Sequence, residues 1–310
     1  MPVDPCFDDF LGNPRNEVRP PPEGIAMDKV RRAANAFMLL APRPPIHSVE
    51  GLAAQGPRGP LSLRLYRPDA SAGLPVILFF HGGGFVWGDL DTHDGMCRSL
   101  AICARAAVIA VDYRLAPETK FPGPLEDCHA ALRWTAAEAG KLGLDPSRIA
   151  VCGDSAGGNL ALAAALLARE RGPALRHVAL IYPTVDPLCA GRSQDEFARG
   201  HMLTRDALRW FWNCYLGDAL AAPGPLAALL TADLNGLPPA FIATAECDPL
   251  RDEGEALADR LAAAGSAVAR RRYAGMIHGF AGMPQFTPLA GQVIRDAAAQ
   301  IKAALEHRGT

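Results

Sequence analysis

Ser155 stands in the run Gly153-Asp154-Ser155-Ala156-Gly157-Gly158-Asn159, between an apolar segment, Arg148-Ile149-Ala150-Val151-Cys152, and an alanine- and leucine-rich stretch over residues 160–167. Strand, then G-x-S-x-G, then helix is the setting of a nucleophile elbow, a sharp turn that lifts a serine hydroxyl above a sheet. The chemistry it points to is acyl transfer through a covalent intermediate. A serine hydroxyl needs a base, and the base needs an orienting acid. In such elbows the partners follow the serine in the order acid, then histidine. Both belong at the C-terminal ends of strands, where open α/β sheets carry their sites.

Four histidines lie downstream. His177 opens a strand at the wrong end, His201 sits in a long insertion and His307 in the terminal tail. His278, in Gly275-Met276-Ile277-His278-Gly279-Phe280, follows the last strand-like segment and is the candidate base. The candidate acid is Asp248, just past the apolar segment 240–245 and held extended by Pro249. Asp252 is the alternative, although Asp252 and Glu253 read better as first-turn residues of the next helix; Glu246 reads as structural. Oxyanion donors come from His81-Gly82-Gly83-Gly84-Phe85, whose successive glycines leave backbone N–H groups bare, and from the N–H of Ala156 after the serine. A phosphate loop is excluded by the lack of G-x-G-x-x-G and of a P-loop lysine. His81 reads as a structural support of the glycine loop.

These residues need a scaffold. Apolar runs at 76–80, 106–111, 148–152, 178–182 and 240–245 predict strands buried on both faces, with further strands at 49–54, 61–66 and 268–273. Helical patterns cover 24–40, 125–142, 257–264 and 293–305. The alternation predicts an α/β fold with a mostly parallel, doubly wound sheet. More than fifty residues between Tyr182 and Ala240 interrupt it. Within them Thr204 caps a helix, Leu203 and Leu208 have staple spacing, and Leu208, Phe211, Trp212 and Tyr215 form one apolar face. That helix reads either as ordinary packing or as a cap over a pocket.

Composition bounds the partners. The 310 residues carry a formal charge of −2, which points neither to nucleic acid nor to an anionic membrane. The 8 cysteines show no C-x-x-C spacing and fall mostly in apolar segments, as in a reducing compartment. No stretch has the apolar length of a membrane span, and the acidic, proline-containing first ten residues lack the features of a signal peptide. A cytoplasmic location is expected, with no metal and no cofactor.

Taken together, His81-Gly82-Gly83-Gly84-Phe85, Asp112-Tyr113-Arg114-Leu115-Ala116-Pro117-Glu118, Gly153-Asp154-Ser155-Ala156-Gly157-Gly158, Asp248-Pro249-Leu250 and His278-Gly279-Phe280 resemble the hormone-sensitive-lipase family of α/β-hydrolases, in its GDSAGG subgroup of bacterial family IV carboxylesterases. The resemblance runs from the glycine loop nearly to the C-terminus. It implies an eight-stranded sheet and a helical cap. The segments would be an N-terminal cap segment (1–45), a first core part (46–184), a cap insertion (185–230) and a second core part (231–310). It implies Gly83, Gly84 and Ala156 as oxyanion donors, with Gly82 shaping the loop. It also implies small, short-chain acyl esters as substrates and frequent dimers, so a homodimer is the macromolecular partner it suggests. Phe85, Trp87, Tyr182, Phe211 and Trp212 are candidates to line the substrate pocket, with core packing as the other reading. Rival functions on the same residues are an amidase or aryl-formamide hydrolase, and a non-enzymatic small-molecule receptor.

Overall fold

A computed structural model describes residues 2–307; Met1 and residues 308–310, the outermost ends of the expected cap and core segments, lie outside the described residues. Eight strands form one sheet: β1 (Ser48–Gly56), β2 (Gly59–Arg67), β3 (Leu74–Phe80), β4 (Ala107–Val111), β5 (Leu144–Asp154), β6 (His177–Ile181), β7 (Ala240–Cys247) and β8 (Val268–Ile277). Their spatial order is β1-β2-β4-β3-β5-β6-β7-β8. β1 and β2 form an antiparallel hairpin, β2 meets β4 antiparallel, and all remaining pairs are parallel.

The continuous apolar runs are explained by two cores, one on each face. Along β3, Val76, Leu78 and Phe80 enter one core while Ile77 and Phe79 enter the other. Ile149 and Val151 of β5 share the first, and Ala150 and Cys152 the second. Successive side chains on a strand point to opposite faces, so a sheet covered on both sides selects apolar residues at every position. The first face is covered by α4 (Gly123–Glu138), α5 (Ala156–Arg171) and α8 (Arg251–Ala263), the second by α3 (Asp94–Ala104) and α9 (Leu289–Glu306). α5 is rich in alanine because it is buried through most of its length against the middle of the sheet.

Helix α3 departs from the sequence expectation, which placed nothing there: Cys97, Leu100, Ala101 and Ala104 have helical spacing, but the helix starts without a side-chain cap and the apolar Ile102 and Cys103 on its other side blur the stripe. α8 begins at Arg251, six residues before the apolar pattern at 257, and Asp252 and Glu253 occupy its first turn as expected.

The remaining helices lie over the C-terminal ends of the strands. α1 (Asp8–Leu11) and α2 (Met27–Met38) come from the N-terminal segment; α6 (Arg192–Glu196) and α7 (Arg205–Leu216) come from the insertion. Thr204 Oγ1 accepts from the Ala207 N–H at 3.1 Å and so caps α7. The same hydroxyl donates to the Val18 carbonyl at 2.7 Å, and the Val18 N–H donates to Met202 O at 2.7 Å. A parallel bridge between Val18 and Leu203 and a Gly200 N–H to Glu17 bond at 2.8 Å complete the seam. No helix among the described residues is long and apolar enough to cross a membrane.

Candidate active site

Three parallel strands deliver the candidate residues. β5 ends at Asp154, β7 at Cys247 and β8 at Ile277, so Ser155, Asp248 and His278 each occupy the first position past a strand. His278 Nδ1 lies 2.8 Å from Asp248 Oδ2, and His278 Nε2 lies 2.9 Å from Ser155 Oγ. A carboxylate only accepts, so Nδ1 carries the proton and the Nε2 lone pair faces the hydroxyl. Asp248 is fully buried, and its other oxygen accepts from the Leu250 N–H at 2.9 Å. That second bond fixes the carboxylate plane toward the imidazole.

The elbow itself is strained. Ser155 has φ 52° and ψ −119°, a conformation that costs a non-glycine residue roughly 1–3 kcal/mol. It is held by the Ser155 N–H on Ile181 O at 2.9 Å and by the Gly158 N–H on Ser155 O at 3.0 Å. The flanking glycines are needed for space: a Cβ on Gly157 would lie 1.9 Å from Phe80 O, and one on Gly153 2.2 Å from Gly157 O.

Opposite the serine, the glycine loop runs through φ 117° at Gly83, 60° at Gly84 and 65° at Phe85. Gly83 O accepts from both Val86 N and Trp87 N at 3.0 Å. Phe85 is held by Ala116 N on its carbonyl at 2.9 Å and by stacking of its ring on Tyr215 at 3.8 Å. Among the described residues, nothing accepts a hydrogen bond from the N–H of Gly83, Gly84 or Ala156. Ala156 is the first residue of α5, where helix N–H groups lack an internal partner and the dipole favours negative charge.

Asp154 links the two halves. Its Oδ1 accepts from the Gly82 N–H at 2.8 Å and lies 3.3 Å from His93 Nε2. Burial would raise its carboxyl, but His93 and the Gly82 N–H outweigh that and hold it below the usual carboxylate range. His81 supports the loop from beneath: Nδ1 contacts Gly82 O at 2.8 Å and the ring stacks on Tyr113 at 4.2 Å. Burial pushes the His81 pKa down to about 4. Its contacts are those of a structural residue.

The other candidates fall elsewhere. Asp252 accepts from the Ser193 N–H at 2.8 Å and pairs with Arg251, on the insertion side of α8. Glu246 accepts from the Gly275 N–H at 2.8 Å. His177 is buried at the start of β6 with neither ring nitrogen bonded, and His201 binds the Arg199 carbonyl.

A cavity of about 770 Å³ opens over the serine, and Phe85, Trp87, Tyr182, Phe211 and Trp212 all line it. The Tyr182 ring centre lies 4.8 Å from that of His278. Trp87 meets Phe211 edge-on at 4.6 Å, and the Phe211 ring lies flush against Gly84. Phe85 and Trp212 are each 1% exposed and contribute only an edge. Sequence reasoning passed over Arg31 and Asn35 of α2 and the Gly82 bond of Asp154. The first two sit in a helix with no motif, and the third had no visible signal beyond its place next to Ser155.

Residues 77–282 match the family described as alpha/beta hydrolase fold. The chain is 44% identical over 252 residues to the carboxylesterase NlhH of Mycobacterium tuberculosis, covering 79% of each protein. It is 40% identical over 243 residues to the ethyl acetate hydrolase of Pseudomonas putida, covering 76% of this chain and 74% of that one. Among solved structures, the thermostable carboxylesterase EstE1 from a metagenomic library superposes with a TM-score of 0.88 at 40% identity, over 93% of this chain and 100% of that one.

Proposed function

Given that this chain belongs to the hormone-sensitive-lipase family of α/β-hydrolases and is a carboxylic ester hydrolase, we propose that Ser155, His278 and Asp248 are its catalytic triad and that its substrates are small esters of short acyl chains. The observation that carries the reading is the chain of contacts from Asp248 Oδ2 to His278 Nδ1 at 2.8 Å and from His278 Nε2 to Ser155 Oγ at 2.9 Å.

Ser155 Oγ attacks the ester carbonyl while His278 Nε2 takes its proton. Asp248 orients the imidazole and stabilises its cation. The N–H groups of Gly83, Gly84 and Ala156 receive the tetrahedral oxyanion, each worth about 10²–10³ in rate. His278 then protonates the leaving alcohol, and a water molecule repeats the sequence to release the acid. A small acyl group is supported by the Phe211 ring packed directly on Gly84, and by the relative named for ethyl acetate. The described part of residues 1–45 forms the cap together with residues 185–230, a reading supported by the seam between Val18 and Thr204 above the strand ends. A cytoplasmic location is supported by the cysteines, none of which is paired in a disulfide among the described residues.

A fluorophosphonate should label Ser155 once, and Ser155→Ala should neither be labelled nor hydrolyse p-nitrophenyl butyrate. Undiminished turnover by that variant overturns the triad. A kcat/KM that rises from butyrate to decanoate overturns the short-chain reading.

A further inference from the structure

The glycine loop is gripped from outside the core. Arg31 of α2 donates from Nε to Val86 O at 2.7 Å and from Nη2 to Ala116 O at 2.9 Å, while its Nη1 lies 3.0 Å from Glu118 Oε1. One turn further along the same helix, Asn35 Oδ1 accepts from the Gly88 N–H at 3.0 Å and Asn35 Nδ2 donates to Asp89 Oδ2 at 2.9 Å. Val86 and Gly88 bracket Trp87, whose N–H, with that of Val86, fixes the Gly83 carbonyl. Ala116 is the residue whose N–H holds Phe85. The two α2 side chains therefore hold the C-terminal half of the loop that carries Gly83 and Gly84, together with the neighbouring segment at Ala116 that grips Phe85. This helix has no fully buried residue of its own, so these bonds are its principal anchor on that side.

We propose that Arg31 and Asn35 are positioning residues for oxyanion stabilisation: the docked N-terminal helix sets the direction of the Gly83 and Gly84 N–H groups. Gly83 and Gly84 are free to adopt many backbone conformations, and Phe85 at φ 65° is strained, so surrounding contacts must over-determine the loop to fix the direction of its N–H groups. Arginine suits the post because its planar fork bonds two carbonyls and a carboxylate at once, which a lysine ammonium on a flexible stem does not. The helix thus makes the loop part of a rigid frame without touching substrate. The inference rests on the oxyanion role of Gly83 and Gly84 argued above.

The test compares Arg31→Ala, Arg31→Lys and Asn35→Ala with the parent enzyme. Each is assayed for kcat and KM on p-nitrophenyl butyrate, and for affinity toward an aryl trifluoromethyl ketone, which forms a tetrahedral adduct on the serine. A misplacement of about 1 Å costs up to about 10² in rate. The expected result is therefore a ten- to hundred-fold loss of kcat and a parallel loss of ketone affinity for both alanine variants. KM should stay within about three-fold, and Arg31→Lys should fall in between. Thermal melting of each variant establishes that it is folded at the assay temperature, and Asn35→Ala, the milder change, serves if Arg31→Ala does not fold. Folded variants with parental kcat and ketone affinity overturn the proposal. If the parent enzyme itself binds the ketone no more tightly than the ester, the oxyanion reading is what fails.

Discussion

Replacing Asp248 with asparagine changes one atom in a fully buried site, and its effect follows from the hydrogen bonds already there. In the favoured orientation the new amide oxygen keeps the Leu250 N–H now accepted at 2.9 Å. The amide NH2 then occupies the place of Oδ2, 2.8 Å from His278 Nδ1. It donates, so Nδ1 must accept and the ring proton moves to Nε2. Nε2–H then points at Ser155 Oγ across 2.9 Å, and the base has no lone pair for the serine proton. The same tautomer error in a serine protease costs about 10⁴ in kcat, or roughly 5 kcal/mol of barrier. The flipped amide restores the correct tautomer but sets NH2 against the Leu250 N–H. Two buried donors face to face cost about 1–3 kcal/mol, which at ~2 kcal/mol holds the active orientation to roughly one molecule in thirty. The loss of kcat in Asp248→Asn is thus bounded between about thirty-fold and 10⁴-fold. The assay is kcat on p-nitrophenyl butyrate beside Asp252→Asn, whose carboxylate serves the Ser193 N–H and Arg251 and which should stay within about five-fold. Both proteins should melt as cooperatively as the parent, since neither substitution makes a cavity and only the one at Asp248 removes a buried charge. Activity of Asp248→Asn within ten-fold of the parent refutes the assignment of the acid.

Two further outcomes follow from other positions. A Cβ on Gly84 would stand 2.3 Å from the Phe211 ring at φ 60°, so Gly84→Ala should lose at least about 10² in kcat, and adding Phe211→Ala should recover part of it; no recovery would locate the damage in the backbone and not at the ring. Glu253 accepts from Val185 N, Asp186 N and Gln194 Nε2, yet burial pushes its pKa up to about 8. Because that value exceeds the unfolded one, its contribution to stability is complete below about pH 4.5 and declines as pH rises toward 8. Between pH 5 and 8 the Tm of the parent should therefore fall more steeply than that of Glu253→Gln, and parallel curves would refute the raised pKa.

The parts of this molecule that were legible in the sequence are those where backbone geometry restricts residue choice. The strands beneath the site need apolar residues on both faces, and they announce themselves as runs such as Val76 to Phe80. The elbow at Ser155 and the turn at Gly83 and Gly84 leave no room for side chains, so their glycines mark them. What lies over the site was far less legible. α2 is secured on the side of the glycine loop by polar contacts from Arg31 and Asn35, and nothing in the pattern of a surface helix separates an arginine that bonds two buried carbonyls from one in solvent. α3 carries its buried residues at helical spacing, but it has no capping side chain and Ile102 and Cys103 blur its apolar face. The boundary of α8 was set by Asp252 and Glu253, whose acidic character suited a first turn but whose apolar successors begin only at Leu257.

The seam between Val18 and Thr204 joins points 186 residues apart in the chain. Closing so long a loop costs little more entropy than closing one half its length, and the sheet has already brought its ends near. A few hydrogen bonds, from the Val18 backbone, the Thr204 hydroxyl and the Glu17 carboxylate, therefore suffice to close it. The triad stands on the sheet alone, whereas the glycine loop is shared with the covering through Arg31, Asn35 and the ring of Tyr215. Drift in the covering can change which esters are admitted while the serine, histidine and aspartate stay where three buried strands put them.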